Sequence, residues 1–518
     1  MPQRLTFTSA QPLFDTAATR HIEQAAAATL PPHTLMQRAG LATARLALAL
    51  APHARCVWIA CGPGNNGGDG LEAAMHLQQW GLNPVVTWLG NPAQTPADAR
   101  ASWQRAVDAG VRFADAPPTG LSEQDLCIDA LLGIGATRTP AGRLAELLDA
   151  LHQQPAPLLC IDLPTGLDAD TGVLQAAHDE KTPKTIADRA YSNGARGQNG
   201  LQSIIPLRHT LSLLTLKPGL FTAQGRDACG TVWFDDLGVT ADDTPPTAWL
   251  RGPPAHQPRP HASHKGSHGD VAVIGGETDR ARGTAMAGAA LLAARAALHG
   301  GAGRVYVGLL GEPSLWCDPV QPELMFRDPA ALPLAALTVV CGCGGGSSVA
   351  ATLPAVLHAA PRLVLDADAL NAIAADPTDL QPRLRARAAH SHATVLTPHP
   401  LEAARLLGGS AAEVQANRLR AAQELAERFQ CVVVLKGSGT VIAAPGAVPR
   451  INPTGNARLA TAGTGDVLAG LLGAKLAAGA PTFDAACAAV YQHGAVADGW
   501  KGAAGLTAHA LVQRLSSD

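Results

Sequence analysis

Two short strings in this 518-residue sequence carry residue types suited to chemistry on a phosphorylated ligand. The first is Gly62-Pro63-Gly64-Asn65-Asn66-Gly67-Gly68-Asp69-Gly70, with five glycines in nine residues between an apolar strand pattern and a helical one. Glycine tolerates the φ > 0 conformations that turn successive backbone N–H groups toward one point, and the following helix start adds partial positive charge. A phosphate is the natural occupant of such a cradle, and a bare turn needs neither so many glycines nor the asparagines. The second string, Ala462-Gly463-Thr464-Gly465-Asp466, opens a long helical stretch. Its free N–H groups and helix dipole can hold nucleotide phosphates or stabilise a phosphoryl group in transfer. Asp466 is placed there to take a proton from an attacking hydroxyl. In isolation the same string would serve as a capping turn; Lys436-Gly437 and Asn452–Gly455, close in sequence, favour the ligand reading.

Other polar groups punctuate strand ends. Asp129 lies in the apolar run Leu126–Leu132, and Asp162 closes Pro157–Asp162. A strand-end aspartate often only caps the next turn. The carboxyl edge of an open α/β sheet is also where ligands bind. His399 is followed by Pro400, which fixes it in an extended turn after a strand, although a lone histidine is more often structural.

These residues need a scaffold, and the chain alternates short apolar runs with helical patterns. Residues 16–29 and 34–50 read as Ala-rich helices broken by Pro31-Pro32, followed by a strand at Cys56–Ala60 and a helix at Leu71–Trp80. Strands at Val85–Leu89, Leu126–Leu132 and Pro157–Asp162 continue the alternation, which predicts a parallel sheet covered on both faces. From Asp242 to Ser267 the sequence turns rich in Pro, His and Thr, a linker signature. The alternation then restarts, with strands at 270–274, 303–309, 337–341, 362–366, 393–396 and 431–435. Helices are predicted at 284–298, 401–407, 414–428, 464–478 and 484–499. The fold class is therefore α/β with two doubly wound domains. Residues 174–208 lack sustained periodicity and read as a surface insertion.

Composition limits the functions open to the chain. At 47% hydrophobic and 4% aromatic, the cores are built mainly from Ala, Leu and Val. With 39 basic and 42 acidic residues and no long basic run, a dedicated nucleic-acid binder is not expected. Ten scattered cysteines lack zinc-knuckle spacing, and Cys341 and Cys343 flank one glycine in poor chelating geometry. No uninterrupted apolar run is long enough for a membrane span, and no signal design opens the chain, so a cytoplasmic location is expected.

The first loop, with Leu35-Met36-Gln37-Arg38-Ala39-Gly40, Asp129-Ala130-Leu131-Leu132-Gly133-Ile134-Gly135 and Ile161-Asp162-Leu163-Pro164-Thr165-Gly166-Leu167-Asp168, resembles the NAD(P)H-hydrate epimerase family over about residues 10–222. The resemblance implies a Rossmann-like domain over 1–222, with the insertion at about 174–208 beside its site. It implies a potassium ion (K+) held by Asn66, Asp129 and Thr165, hard oxygen donors that suit a hard cation. Substrate contacts would fall on Asn65, Asn66, Gly67, Gly68 and Asp69, on Gly133, Ile134, Gly135, Ala136, Thr137, Arg138 and Thr139, and on Asp162. Epimerisation at a hydrated ring carbon needs proton transfer, which makes Asp162 the candidate acid/base. The sequence between Asp170-Thr171-Gly172 and His209–Leu213, then Lys217-Pro218-Gly219-Leu220, is longer than the family's.

Beyond a connecting segment at 223–254, residues 255–518 resemble the ADP-dependent NAD(P)H-hydrate dehydratase family, of ribokinase-like fold. The matching strings are His264–Gly269, Gly301–Gly303, Asp366-Ala367-Asp368-Ala369-Leu370, Thr397-Pro398-His399-Pro400-Leu401-Glu402, Leu435–Thr440 and Ala462–Asp466. The resemblance implies that Lys436, Gly437, Ser438, Gly439, Thr440 and Gly465 bind the adenine nucleotide. Ala289, Gly346, His399 and Asp466 would contact the hydrated cofactor. Gly342-Cys343-Gly344-Gly345-Gly346 stands where the family has Gly-Pro-Gly-Leu-Gly, so a looser loop is expected. The implied substrates are the hydrates NADHX and NADPHX with ADP as cosubstrate and Mg2+ beside it, and the family suggests a homo-oligomer. The rival readings are a ribokinase-like small-molecule kinase, and a first domain that is a non-catalytic nucleotide-binding or interaction module.

Overall fold

The computed structural model describes residues 1–135, 139–175, 207–241, 243–255, 261–313, 315–502 and 504–515. The chain divides into two compact units, Met1–Thr6 with Pro12–Thr247 and Phe7–Gln11 with Ala248–Asp518.

In the first unit the strands are β1 (Gln3–Arg4), β2 (Val57–Cys61), β3 (Pro84–Trp88), β4 (Arg112–Phe113), β5 (Leu126–Ala130), β6 (Leu158–Ile161), β7 (Arg208–Leu213) and β8 (Thr231–Asp235). Their order is β1-β8-β7-β6-β5-β2-β3-β4. All neighbours run parallel except β1, which is antiparallel to β8. Every residue of β2 and β5 is buried, as continuous apolar runs require when helices cover both faces. The helices are α1 (Thr16–Thr29), α2 (Thr34–Leu50), α3 (Asn65–Gln79), α4 (Ala97–Asp108) and α5 (Arg143–Gln153). Asp15 caps α1 by accepting from Ala18 N at 2.8 Å, and Pro31-Pro32 separates α1 from α2 at the expected place.

The glycine string departs from expectation. Residues Asn65–Asp69 form the first turns of α3, and none of the five glycines has a positive φ. Glycine is required instead by close approach. A Cβ on Gly67 would lie 2.0 Å from Gly62 O, and one on Gly68 would lie 2.8 Å from the Ala99 Cα of α4. The segment 223–254, expected as a connector, carries β8 and a strand of the second unit. The insertion read over 174–208 lies almost wholly outside the described residues, as do Ala136, Thr137 and Arg138.

In the second unit the strands are β9 (Ala248–Leu250), β10 (Asp270–Asp279), β11 (Thr284–Ala285), β12 (Arg304–Gly311), β13 (Met325–Phe326), β14 (Thr338–Cys341), β15 (Arg362–Leu365), β16 (Ala393–Leu396), β17 (Val432–Leu435), β18 (Val441–Ala443) and β19 (Arg450–Ile451). The path runs β13-β12-β10-β14-β15-β16-β17-β18-β19-β9, with β11 beside β10. It is parallel from β13 to β17 and turns antiparallel at β18. The helices used below are α6 (Ala287–His299), α7 (Val349–Ala359), α8 (Ala367–Ala375), α9 (Pro400–Leu407), α10 (Arg418–Phe429), α11 (Thr464–Ala477) and α12 (Thr482–Asp498).

Strand side chains alternate between two cores. Val271, Val273, Val340 and Val364 pack with Ala290, Ala293, Val467 and Leu471 from α6 and α11. Ile274, Val339, Leu363 and Leu365 pack on the opposite face with Leu353, Leu370, Ala403 and Leu425. Each buried Val, Leu or Ile among these contributes roughly 1.5–3 kcal/mol. The helix expected over 284–298 begins only at Ala287, because Thr284 and Ala285 pair with β10. The one expected over 414–428 is interrupted at Asn417, whose side chain accepts from Arg420 N at 2.9 Å and starts α10 afresh.

Candidate active sites

The first unit holds a cavity of about 640 Å³ at the carboxyl edge of its sheet. Among the expected residues Asn65, Asn66, Asp69, Gly133, Ile134, Gly135 and Asp162 line it, joined by Glu23 of α1 and Lys217. Gly67 and Gly68 are packed away from it in the start of α3, and Thr139 is exposed elsewhere. Asp162 follows β6 with φ +65, an uncommon conformation for a residue with a Cβ. Its N–H donates to Leu211 O at 2.7 Å, which ties the turn to β7. Its Oδ1 accepts from the Lys217 ammonium and from Leu213 N at 3.4 Å. Burial, reinforced by the charges of Asp162 and Glu23, pushes the Asp69 carboxyl well above its ordinary range. Burial and then Asp162 raise that of Glu23. The cavity therefore gathers several carboxyls in different settings around one buried cation.

Asp129 and Thr165 sit under this cavity rather than in its wall. Asp129 accepts from Thr165 Oγ1 at 2.7 Å, Thr165 N at 2.9 Å and Leu131 N at 3.1 Å. Burial raises its pKa against the pull of those bonds. Thr165 Oγ1 in turn accepts from Leu132 N at 3.0 Å, so the pair shapes the 131–133 turn. Asn66 reaches the same turn from α3: a Cβ on Gly133 would lie 3.3 Å from its Oδ1. Neither polar atom of the buried Asn66 side chain has a hydrogen-bond partner among the described residues. An orphaned carbonyl oxygen at the turn that the Thr165 hydroxyl and Asp129 carboxylate shape offers the kind of oxygen donors that fit a hard monovalent cation.

In the second unit the expected residues meet where β10, β14, β15, β16 and β17 end. Lys436, just after β17, donates from Nζ to Asp366 Oδ1 at 2.7 Å and lies 3.9 Å from Glu402 Oε2. Asp366 also accepts from Thr397 Oγ1 at 2.8 Å. No side chain caps α11, which starts from Gly463 at φ +89. A Cβ on Gly465 would lie 3.5 Å from Lys436 Nζ, so the ammonium stands at the helix start beside Asp466. Behind the loop, Arg418 is fully buried and donates to Leu435 O and Lys436 O, both at 3.2 Å, and to Gln415 Oε1 at 2.7 Å. His399 caps α9, its Nδ1 accepting from Leu401 N at 3.1 Å and its Nε2 lying 3.2 Å from Glu402 Oε1. The helix-capping role and a place at the sheet edge coincide in this histidine. Ala289 packs beside the glycine loop, where a Cβ on Gly344 would meet its own Cβ at 2.9 Å.

The loop carrying Cys343 is tied to its surroundings by hydrogen bonds. Gly276 N donates to Cys343 O at 2.9 Å, Glu277 N to Gly344 O at 2.7 Å, and Gly346 N to Asp368 Oδ2 at 2.9 Å. A Cβ on Gly346 would lie 1.8 Å from the buried Glu277 Oε2. The Cys343 Sγ and carboxylate oxygens of Asp366 and Asp466 lie within 4.8 Å of one another. Burial, then the Asp366 charge, raises Asp466 to about 7. Burial pushes the Cys343 thiol well up. A thiol that stays protonated and a carboxylate already held by Lys436 make poor Mg2+ ligands, so this cluster is not a magnesium cage.

Sequence reading missed the roles of Lys217, Glu23 and Glu277. Lys217 had one available signal, a lone cation between the apolar runs Leu213–Leu216 and Pro218–Phe221.

Comparison with known proteins covers both units. The family described as YjeF-related protein N-terminus matches residues 32–219, and that described as NAD(P)H-hydrate dehydratase matches 271–517. The bifunctional NAD(P)H-hydrate repair enzyme of Escherichia coli (strain K12) is 34% identical over 489 residues, covering 90% of this chain and 85% of that protein. Its counterpart in Coxiella burnetii is 32% identical, with 94% of each chain covered. The ADP-dependent (S)-NAD(P)H-hydrate dehydratase of Neisseria meningitidis serogroup B is 40% identical over 279 residues, 52% of this chain and 89% of that protein.

Proposed function

Because the chain belongs to the family of bifunctional NAD(P)H-hydrate repair enzymes, we propose that its two units carry out successive steps on one damaged cofactor, with Asp162 and Asp466 as the proton-transfer groups. The enzyme interconverts the R and S hydrates of NADH and NADPH and dehydrates the S form with ADP, releasing AMP and phosphate. The observation that carries this reading is the match to the bifunctional relatives across 90% or more of the chain.

In the first unit the hydrated carbon is bonded to the ring nitrogen. Protonation of its hydroxyl lets the C–O bond break as the nitrogen lone pair forms a C=N bond, and water leaves. Re-addition of water to the opposite face, with loss of a proton, gives the other epimer. Asp162 gives and recovers that proton from the cavity wall. Asn66, Asp129 and Thr165 would hold the potassium ion, which would supply fixed positive charge to an anionic part of the substrate.

In the second unit Asp466 takes the proton of the substrate hydroxyl as its oxygen attacks the β-phosphorus of ADP and AMP leaves. The ring nitrogen then expels phosphate, and loss of a proton from the neighbouring carbon restores the double bond. Lys436 to Thr440 hold the nucleotide, and the uncapped start of α11 at Gly465 faces the transferring group. Magnesium would accompany the ADP phosphates and neutralise their charge. Ala289, Gly346 and His399 hold the hydrated ring.

A coupled absorbance assay with separated R and S hydrates tests the whole reading. Restored NADH from the S form only with ADP, and from the R form only when epimerisation also runs, is the expected result. A stable phosphorylated product instead of AMP and NADH would mark the second unit as a kinase. Potassium removal should slow consumption of the R form alone.

A further inference from the structure

Lys217 occupies a position that the proposed chemistry does not yet use. It follows β7 and is 0% exposed. Three acceptors surround it: Asp162 Oδ1, Leu213 O at 2.7 Å and Ser212 Oγ at 3.4 Å. That number matches the three N–H bonds of a lysine head. The contacts join the ends of β6 and β7, because Asp162 closes one strand and residues 212–213 close the other.

The arrangement divides the two oxygens of Asp162. Oδ1 receives both the ammonium and Leu213 N, so it is turned into the protein. Oδ2 points the other way, 3.4 Å from where a Cβ on Gly133 would stand, in the wall of the cavity. The backbone at φ +65 lies in a region unfavourable for a residue with a Cβ, and such strain persists only where surrounding contacts enforce it. A buried lysine anchored on a strand-end carbonyl is a contact of that kind.

We propose that Lys217 is a positioning residue for epimerisation, clamping Oδ1 of Asp162 so that Oδ2 alone faces the hydrated carbon and exchanges the proton. The inference rests on the assignment of Asp162 given above. Lys217 acts through Asp162 and takes no proton itself.

The test uses the full chain, with S-hydrate dehydration in the second unit as an internal control. Lys217→Met should lower kcat for R-to-S conversion by about 100-fold while KM for the R hydrate stays within about threefold, because an acid/base group set in place contributes on that scale. Lys217→Arg, which keeps the charge and can reach the same acceptors, should restore part of kcat. Ser212→Ala removes only the longest of the three contacts and should cost a few-fold at most. Epimerisation by Lys217→Met at the wild-type kcat overturns the proposal. So does an equal loss in Lys217→Met and Lys217→Arg accompanied by unfolding of the first unit, which would make the pair purely structural. A wild-type chain that leaves the R hydrate untouched would instead refute the assignment of epimerase activity.

Discussion

The two sites use the same pair of residue types in opposite ways. In the first unit the aspartate assigned to chemistry, Asp162, is itself bound to a buried lysine at the end of a strand. In the second, the lysine donates to a neighbour, Asp366, and its ammonium only stands near the helix start that carries Asp466. The first arrangement fixes direction. The second leaves Asp466 in low-dielectric surroundings next to another carboxylate, which raises its pKa to about 7, suited to a base working near neutrality.

The most severe way to break this comparison is to remove each carboxylate in turn. Asp466→Asn should lower dehydration of the S hydrate by about 1,000-fold or more, within the range of a lost general base, and leave R/S interconversion unchanged. Loss of both activities in a folded chain would refute separate sites. Asp162→Asn should reverse the pattern, with epimerisation falling about 100-fold and ADP-dependent dehydration retained; the R-hydrate assay reads this directly.

Acid offers a milder cut. Asp466 must be deprotonated to accept the hydroxyl proton, and its pKa is raised, so kcat/KM for dehydration should fall about tenfold per unit as pH drops below about 7. A pH-rate profile flat from 5 to 8 would remove Asp466 from that role. The smallest effects lie in the glycine string. Gly67→Ala must displace Gly62 O and should destabilise the first unit by about 1–3 kcal/mol, visible in its thermal midpoint. A Cβ on Gly64 meets nothing within 4 Å, so Gly64→Ala should fold normally, and any loss of epimerisation would then report contact with the ligand itself.

Local chemistry made much of this legible. The helices at 16–29 and 34–50 follow from Ala-rich runs separated by Pro31-Pro32, and they form over those residues. The parallel strands follow from short apolar runs and shift by a residue or two at their ends, except that the one expected over 270–274 runs on to Asp279. Asn65, Asn66, Asp69 and Asp162 were identified from sequence and line one cavity. What failed depends on neighbours distant in sequence. Four glycines of 62–70 are small because Leu131, Gly62, Ala99 and Ala130 come close, and none of the five because the backbone needs φ > 0. Asp162 and Lys217 are separated by 55 positions, and no spacing rule connects them. The strand at 231–235 is only half-buried along its length, with no alternation of buried and exposed residues, and its pattern is weak until β1 and β7 flank it.

Arg418 adds a kinetic side to the nucleotide loop. Because the guanidinium braces Leu435 O and Lys436 O from behind, the loop's shape is set when the protein folds. On the proposed assignment of ADP to Lys436–Thr440, the nucleotide meets a loop already braced, and the ordering entropy falls on folding rather than on association. Its arrival should accordingly follow one exponential whose rate climbs linearly with ADP concentration, with no slower rearrangement behind it.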